Sequence, residues 1–338
     1  MISFSSVAAF DQALATLPAA DAAAAAAARA RQDQLTKPPG SLGRLEEIAI
    51  FLAGWQGRER PSIDAARAVI FAGNHGVAAQ GVSAFPAEVT AQMVANFAAG
   101  GAAINALTGA IGMRLDVVAL DLDRPTRDFT AGPAMDEEDC LAALTRGAAM
   151  VTPGTDLLLL GEMGIANSTA AAALCQRSYG GTATDWTGPG TGLDTHGVQH
   201  KAAVIERAIA LHADAPRTPF ETLRRLGGRE MAAISGAVLA ARHARIPVLL
   251  DGFICCAALA PLAAAMPGIV DHCIAGHCSA EPGHARLLAR MGLAPLLRLD
   301  MRLGEGSGAA VAAAVIRSAL AAHNGMATFA EAGVAGGA

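Results

Sequence analysis

Six short runs of almost unbroken apolar residues, separated by long stretches rich in Ala and Leu, constrain what this chain can fold into. They cover residues 68–72, 115–120, 156–160, 247–251, 270–275 and 296–299. A strand with one wet face alternates apolar and polar residues, whereas a run that is apolar throughout belongs to a parallel sheet covered by helices on both faces. The spacers, such as 86–110 and 199–211, read as helices. The alternation predicts an α/β fold with a doubly wound, mostly parallel sheet of about six strands. No repeat with a fixed period of roughly 20–50 residues is visible, which disfavours a solenoid. At roughly 150 residues per domain, the 338 residues allow about two units. Residues 61–307 are expected to form the sheet domain, and the strandless ends, 1–60 with 308–338, to join as a smaller helical domain. The seven alanines 22–28 read as exposed helix, because Ala is the best helix former.

Charge then excludes some functions. Lys and Arg number 25 against 30 Asp and Glu, a formal net charge of -5 with 16% charged residues, so no basic stripe offers itself to a nucleic-acid backbone. The six cysteines contain no C-x-x-C pair, and the first thirty residues carry Asp11 and Asp21 without a basic segment before an apolar run. Reduced thiols and a cytoplasmic location are expected. The longest apolar stretches, such as 257–266, are broken by Pro and fall short of the roughly 20 residues of a membrane helix.

In an open parallel sheet, ligands bind beyond the carboxyl ends of the strands, and the polar and Gly-rich residues collect there. Asn74-His75-Gly76 follows the first run, Gly161-Glu162-Met163-Gly164 the third, and Asp251-Gly252 ends the fourth. Ser279-Ala280-Glu281 follows the fifth and Gly304-Glu305-Gly306-Ser307-Gly308 the sixth. Two of these loops suit a phosphate. The stretch 160–169 leads into an Ala-rich helix through Ile165, Asn167, Ser168 and Thr169, and 304–308 precedes another. Helix starts offer free N–H groups and a positive dipole end, and Gly admits close approach; ordinary capping with Gly in turns is the alternative reading.

Nucleotide templates are missing: there is no G-x-x-x-x-G-K-[ST], 188–192 fits neither a P-loop nor G-x-G-x-x-G in context, and no G-x-S-x-G elbow exists. Glu162 and Glu305, each beside Gly at a strand end, suit a general base, since an apolar pocket raises a carboxyl pKa toward neutrality. The competing role for each is to brace a loop through backbone N–H groups. Asn74 and His75 read as a ligand contact or as a satisfied turn pair. His272, Cys273, His277 and Cys278 are spaced wrongly for zinc and read as buried core residues, so no metal is expected. Asp136 to Asp139 reads as an acidic helix start.

Taken together, these motifs resemble the nicotinate-nucleotide:dimethylbenzimidazole phosphoribosyltransferases. The resemblance rests on residues 37–46 (KPPGSLGRLE), 74–77 (NHGV) with Gly81-Val82, 161–169 (GEMGIANST), 190–194 (GTGLD), 250–253 (LDGF), Ser279-Ala280-Glu281 and 302–308 (RLGEGSG). It implies a two-lobed α/β protein, usually a homodimer, that moves phosphoribose from nicotinate mononucleotide to 5,6-dimethylbenzimidazole with no cofactor. It further implies Glu305 as general base and Glu162 as a second active-site carboxyl. Gly164, Ile165, Asn167, Ser168, Lys201, Ser279 and the Gly306-Ser307-Gly308 backbone fall near the nucleotide and its phosphate. Asn74, His75, Phe85, Pro86, Met93 and Leu303 fall near the aromatic base. Phe85 and Met93 replace residues that are polar in some members, Asn74 stands where many have Asp, Ala166 where Gly is usual, and Pro189 where Arg often stands.

A cationic pyridinium leaves without metal activation, so positioning and a base suffice. Enzymes using phosphoribosyl pyrophosphate would want metal-binding acidic residues followed by a phosphate loop, which 136–139 lacks. Competing readings are a nucleotide or sugar-phosphate hydrolase using the same Glu on water, and a nucleotide-binding module without turnover.

Overall fold

The apolar run around Ile70 folds as β1, Ala66–Ala72, followed along the chain by β2 (Arg114–Ala119), β3 (Leu157–Met163), β4 (Val248–Leu250) and β5 (Cys273–Ala275). Neighbours are all parallel, in the order β2-β1-β3-β4-β5. This is a computed structural model, and it describes residues 2–335; Met1 and residues 336–338, the extremes of the expected helical domain, lie outside the described residues.

Side chains alternate between sheet faces along a strand, and here both faces are dry. Val69, Phe71, Leu158, Leu160, Val248 and Leu250 enter one core, while Ala68, Ile70, Leu157, Leu159, Leu249 and Ile274 enter another. That is why the strands read as continuous apolar runs. A fully buried Leu or Ile contributes roughly 1.5–3 kcal/mol, so these strands hold the helical layers to the sheet.

The first core is covered by helices Glu137–Ala148, Asn167–Tyr179 and Arg229–His243. The second is covered by Arg44–Gln56, Ala103–Ala110 and Ser307–Gly325. The two chain ends meet in that layer: Arg44–Gln56 packs on Ser307–Gly325, and Arg31 donates to the carbonyls of His323 (2.9 Å) and Met326 (3.1 Å). The first helix, Val7–Ala15, goes to the other face, where Phe10 meets Phe220 at 6.0 Å between ring centroids. The alanine run forms part of helix Ala22–Gln34, capped by Asp21, whose Oδ1 accepts from the N–H of Ala24 at 2.9 Å.

Several boundaries differ from the sequence reading. Residues 296–299 do not form a sixth strand. Only Leu297 bridges His277, and Leu299 is exposed: Pro295, Arg298 and Asp300 leave too few apolar side chains to cover both faces. Residues 86–110 split into Glu88–Ala98 and Ala103–Ala110 at Gly100, which takes φ +78. Strand β3 runs on through Glu162 to Met163, paired with β1 at Phe71 and Ala72, so Glu162 sits on a rigid strand end and not in the loop beyond it.

In this strand order the connections diverge between β1 and β3, and that switch point leaves a crevice at the carboxyl edge. The carboxyl ends of β1 and β3 close tightly there: Gly73 N–H donates to the carbonyl of Met163 at 3.0 Å, and a methyl on Gly164 would lie 2.6 Å from the carbonyl of Gly73.

Candidate active site

Glu162 projects from the end of β3 into a cleft lined by Val82 to Ala84, Met163 to Ser168, Pro189 to Thr191, Lys201, Glu281 and Arg302 to Gly304. It is buried, and its Oε2 accepts a hydrogen bond from the side-chain amide of Asn167. Loss of water pushes its carboxyl up to about 8, Asp251 and then Glu230 and Glu305 adding negative charge, while Asn167 opposes the rise. Its Oε1 lies 2.7 Å from where a methyl on Gly304 would sit, so the Glu305 loop passes directly over it.

Glu305 is buried with its Oε2 unpartnered. Burial first, and the nearby Asp251 carboxylate second, raise its pKa. Its backbone has φ +62 and Gly306 has φ +78. A side-chain-bearing residue pays about 1–2 kcal/mol for that conformation, and such strain clusters at functional sites. The free carboxyl oxygen and the strained backbone make Glu305 a candidate functional group.

Across the cleft, Lys201 from helix Thr195–Leu211 is almost fully buried and donates to Ser168 Oγ (2.7 Å) and the carbonyl of Gly188 (3.2 Å). Burial lowers its ammonium pKa to about 8, against the pull of Glu281. Glu281 Oε1 accepts from Gly190 N–H at 2.8 Å, and exposed Arg302 donates to the Gly190 carbonyl at 3.2 Å. The 188–190 turn is thereby pinned beside one buried and one exposed cation, which suits an anionic group.

The structure therefore gathers Glu162, Gly164, Ile165, Asn167, Ser168, Lys201 and Leu303 around one cleft. The remaining residues singled out from the sequence are placed around it. Gly306 gives its N–H to Asp251, Ser307 Oγ donates to the Gly304 carbonyl at 2.7 Å, and Gly308 leaves room for the His277 ring. Ser279 N–H donates to His284 Nδ1 at 2.9 Å. His75 is buried with Nε2 2.7 Å from Glu230 Oε1, and Asn74 donates to the Leu122 carbonyl at 2.9 Å. Phe85 and Pro86 are exposed, one step along from Ala84 at the cleft wall; Leu303 is exposed at its mouth, and Met93 is half-buried against the second core. His272 packs on Trp55, and Asp136 caps helix Glu137–Ala148. All six cysteines are buried and unpaired.

Sequence reasoning assigned no role to Asp251, Glu230, Glu281 or Arg302. Arg302, Glu281 and Asp251 all lay within the matched motifs, Asp251 also at the end of the fourth apolar run. Glu230 offered no local signal, since its partner His75 is 155 residues away.

An open parallel α/β sheet with a switch-point cleft, buried carboxyls of raised pKa and a buried lysine fits an enzyme of group transfer. The chain belongs to the phosphoribosyltransferase family, whose model matches residues 17–334. It is 71% identical over 337 residues to a protein of Novosphingobium aromaticivorans named nicotinate-nucleotide–dimethylbenzimidazole phosphoribosyltransferase, covering 100% of both chains. A protein of the same name from a Ruegeria species is 62% identical, covering 97% of each. Among solved structures, CobT from Thermus thermophilus superposes with a TM-score of 0.86 at 41% identity, covering 93% of this chain and 100% of that one.

Proposed function

We propose that this chain transfers the phosphoribosyl group of nicotinate mononucleotide to 5,6-dimethylbenzimidazole in cobalamin biosynthesis, releasing nicotinate and forming α-ribazole 5′-phosphate. One benzimidazole nitrogen attacks C1′ of the ribose. The C1′–N bond to the pyridinium breaks, its electron pair staying on the departing nitrogen, so a cationic ring leaves as a neutral one. The N–H proton on the other benzimidazole nitrogen passes to Glu305. A carboxyl whose pKa is raised toward neutrality is a stronger base for that proton. Glu162, largely protonated near neutral pH, serves as a hydrogen-bond donor beside it without adding a second negative charge.

The phosphate is assigned to the Lys201, Ser168 and Gly190 side, with Gly164, Ile165 and Asn167 flanking the ribose. Two of the N–H groups at the 306–309 helix start are taken by Asp251, which leaves the substrate anion better served by Lys201. The benzimidazole is assigned to the apolar side, under Leu303 and beside Phe85, Pro86 and Met93. The family reading also carries a homodimeric, cytoplasmic enzyme; among the described residues no helix is long and apolar enough to cross a membrane.

The observation that carries this reading is the unpartnered, buried Glu305 carboxyl on a strained loop that follows directly on the cleft-lining residues 302–304, in a chain the family model matches over residues 17–334. Purified protein incubated with both substrates should yield a base-linked ribose phosphate by mass spectrometry, and only when the benzimidazole is present. Ribose phosphate appearing equally without the benzimidazole would make the protein a hydrolase. Nucleotide binding with no product at all would make it a binding module.

A further inference from the structure

Asp251 directly follows β4, after Leu250, and is fully buried. Its Oδ2 accepts from Gly306 N–H at 3.1 Å and its Oδ1 from Ala309 N–H at 2.9 Å. These are the N–H groups at the start of the helix Ser307–Gly325. A carboxylate at a helix start is favoured by the helix dipole and by charge-assisted bonds, but this one reaches across 55 residues of sequence to get there. Immediately before that start stand Gly304, Glu305 and Gly306, three consecutive residues with positive φ, of which Glu305 alone carries a side chain. Gly161 has no side chain where the loop crosses: a methyl there would lie 2.6 Å from the Gly306 nitrogen. The loop is thus pressed onto β3 from below and tied to β4 from the side.

We propose that Asp251 is the positioning residue for the Glu305 base: by bonding the two N–H groups at the helix start, it fixes the left-handed Glu305–Gly306 pair and aims the Glu305 carboxyl at the acceptor. The inference rests on the phosphoribosyl-transfer reading and deepens it. Asp251 also acts on the proton affinity of Glu305, being the charged neighbour that adds to burial in raising it. The groups facing Asp251 are His277, at 3.5 Å from Oδ1 in the segment after β5, Glu162 on β3, Glu305 itself, and Cys255 and Cys256 on the following helix Phe253–Ala258.

Asp251→Asn tests this, with Asp251→Glu as the charge-keeping control. In Asp251→Asn, kcat should fall about 10- to 100-fold with the KM for nicotinate mononucleotide within about twofold of wild type. Removing the negative charge lowers the Glu305 pKa, so the acid limb of kcat should move to lower pH. Introduced into Glu305→Gln, the same substitution should cost nothing further, because residues acting through one group are not additive. Full additivity, or an unchanged kcat, overturns the proposal. If Asp251→Asn does not fold, the cycle is run with Asp251→Glu; failure of both to fold makes Asp251 a folding residue and equally overturns it. The Glu305 carboxyl midpoint, followed by carbon-13 NMR and assigned by its loss in Glu305→Gln, should drop in Asp251→Asn. That readout needs no turnover: a wild-type protein without product would sink the transferase reading, while an unshifted midpoint would sink the role of Asp251.

Discussion

Burial holds the Glu162 carboxyl near pH 8, and that single residue has a measurable effect on stability. The unfolded chain releases this proton near pH 4.5, so between the two values the native state binds more protons than the unfolded one, and stability falls as pH rises. Glu162→Gln mimics the protonated form and keeps an acceptor for Asn167. Its melting temperature should exceed that of wild type at pH 8 by roughly 2–4 °C per kcal/mol recovered, and the gap should close toward pH 4. A constant gap would mean Glu162 is ionised in the folded protein. Lys201 shows the converse sign at a functional site. With its ammonium lowered to about 8 by burial, a nucleotide phosphate held there as proposed would lose its buried cation above that pH. The KM for nicotinate mononucleotide should therefore rise about tenfold between pH 7 and 9, the loss of one charge-assisted contact of about 1.4 kcal/mol. Lys201→Met should show a high KM that no longer varies with pH over that range; if it follows the wild-type curve, another group holds the phosphate.

The active element is the join between β3 and the start of helix Ser307–Gly325, where Gly161 lets the Gly306 backbone come in. Gly161→Ala would set a methyl 2.5 Å from Ile70 Cδ1 and 2.6 Å from the Gly306 nitrogen. Overpacking of this kind costs about 1–3 kcal/mol, and here relief requires the Glu305 loop to lift, so kcat should fall together with the melting temperature. Unchanged values for both would show that the loop is not seated on β3. This join also marks the limit of what the sequence discloses. The strands and the Gly-flanked carboxyls are written locally, in apolar runs and in the GEMG and RLGEGSG stretches, because burial on both faces and tight turns leave residue-level signs. Asp251 bonding Gly306 and Glu230 bonding His75 are contacts across 55 and 155 residues, fixed by strand order, which no local pattern encodes. The expected sixth strand failed for a related reason: residues 296–299 are apolar in part but have one neighbour to pair with and solvent on the rest.

At the scale of the whole molecule, strand order decides where chemistry sits. A cavity of about 800 Å³ opens around Trp55, Arg58, Thr152, Asp156 and Arg245, at the amino ends of the strands, where Arg58 and Asp156 are already paired at 2.6 Å. The narrower cleft at the carboxyl ends holds Glu162, its carboxyl pushed up to about 8, and the buried Lys201, at the switch point between β1 and β3. On the proposed reading, this edge delivers one base, Glu305, to a reaction that otherwise needs only positioning. The direct test is the single-turnover rate of Glu305→Gln against wild type, with both substrates saturating, across pH 5 to 9. The variant should lose about 10²- to 10⁴-fold in rate while still binding nicotinate mononucleotide, and the rise of rate with pH on the acid side should vanish with the carboxyl. A rate within about threefold of wild type, with the acid limb intact, would contradict the assignment.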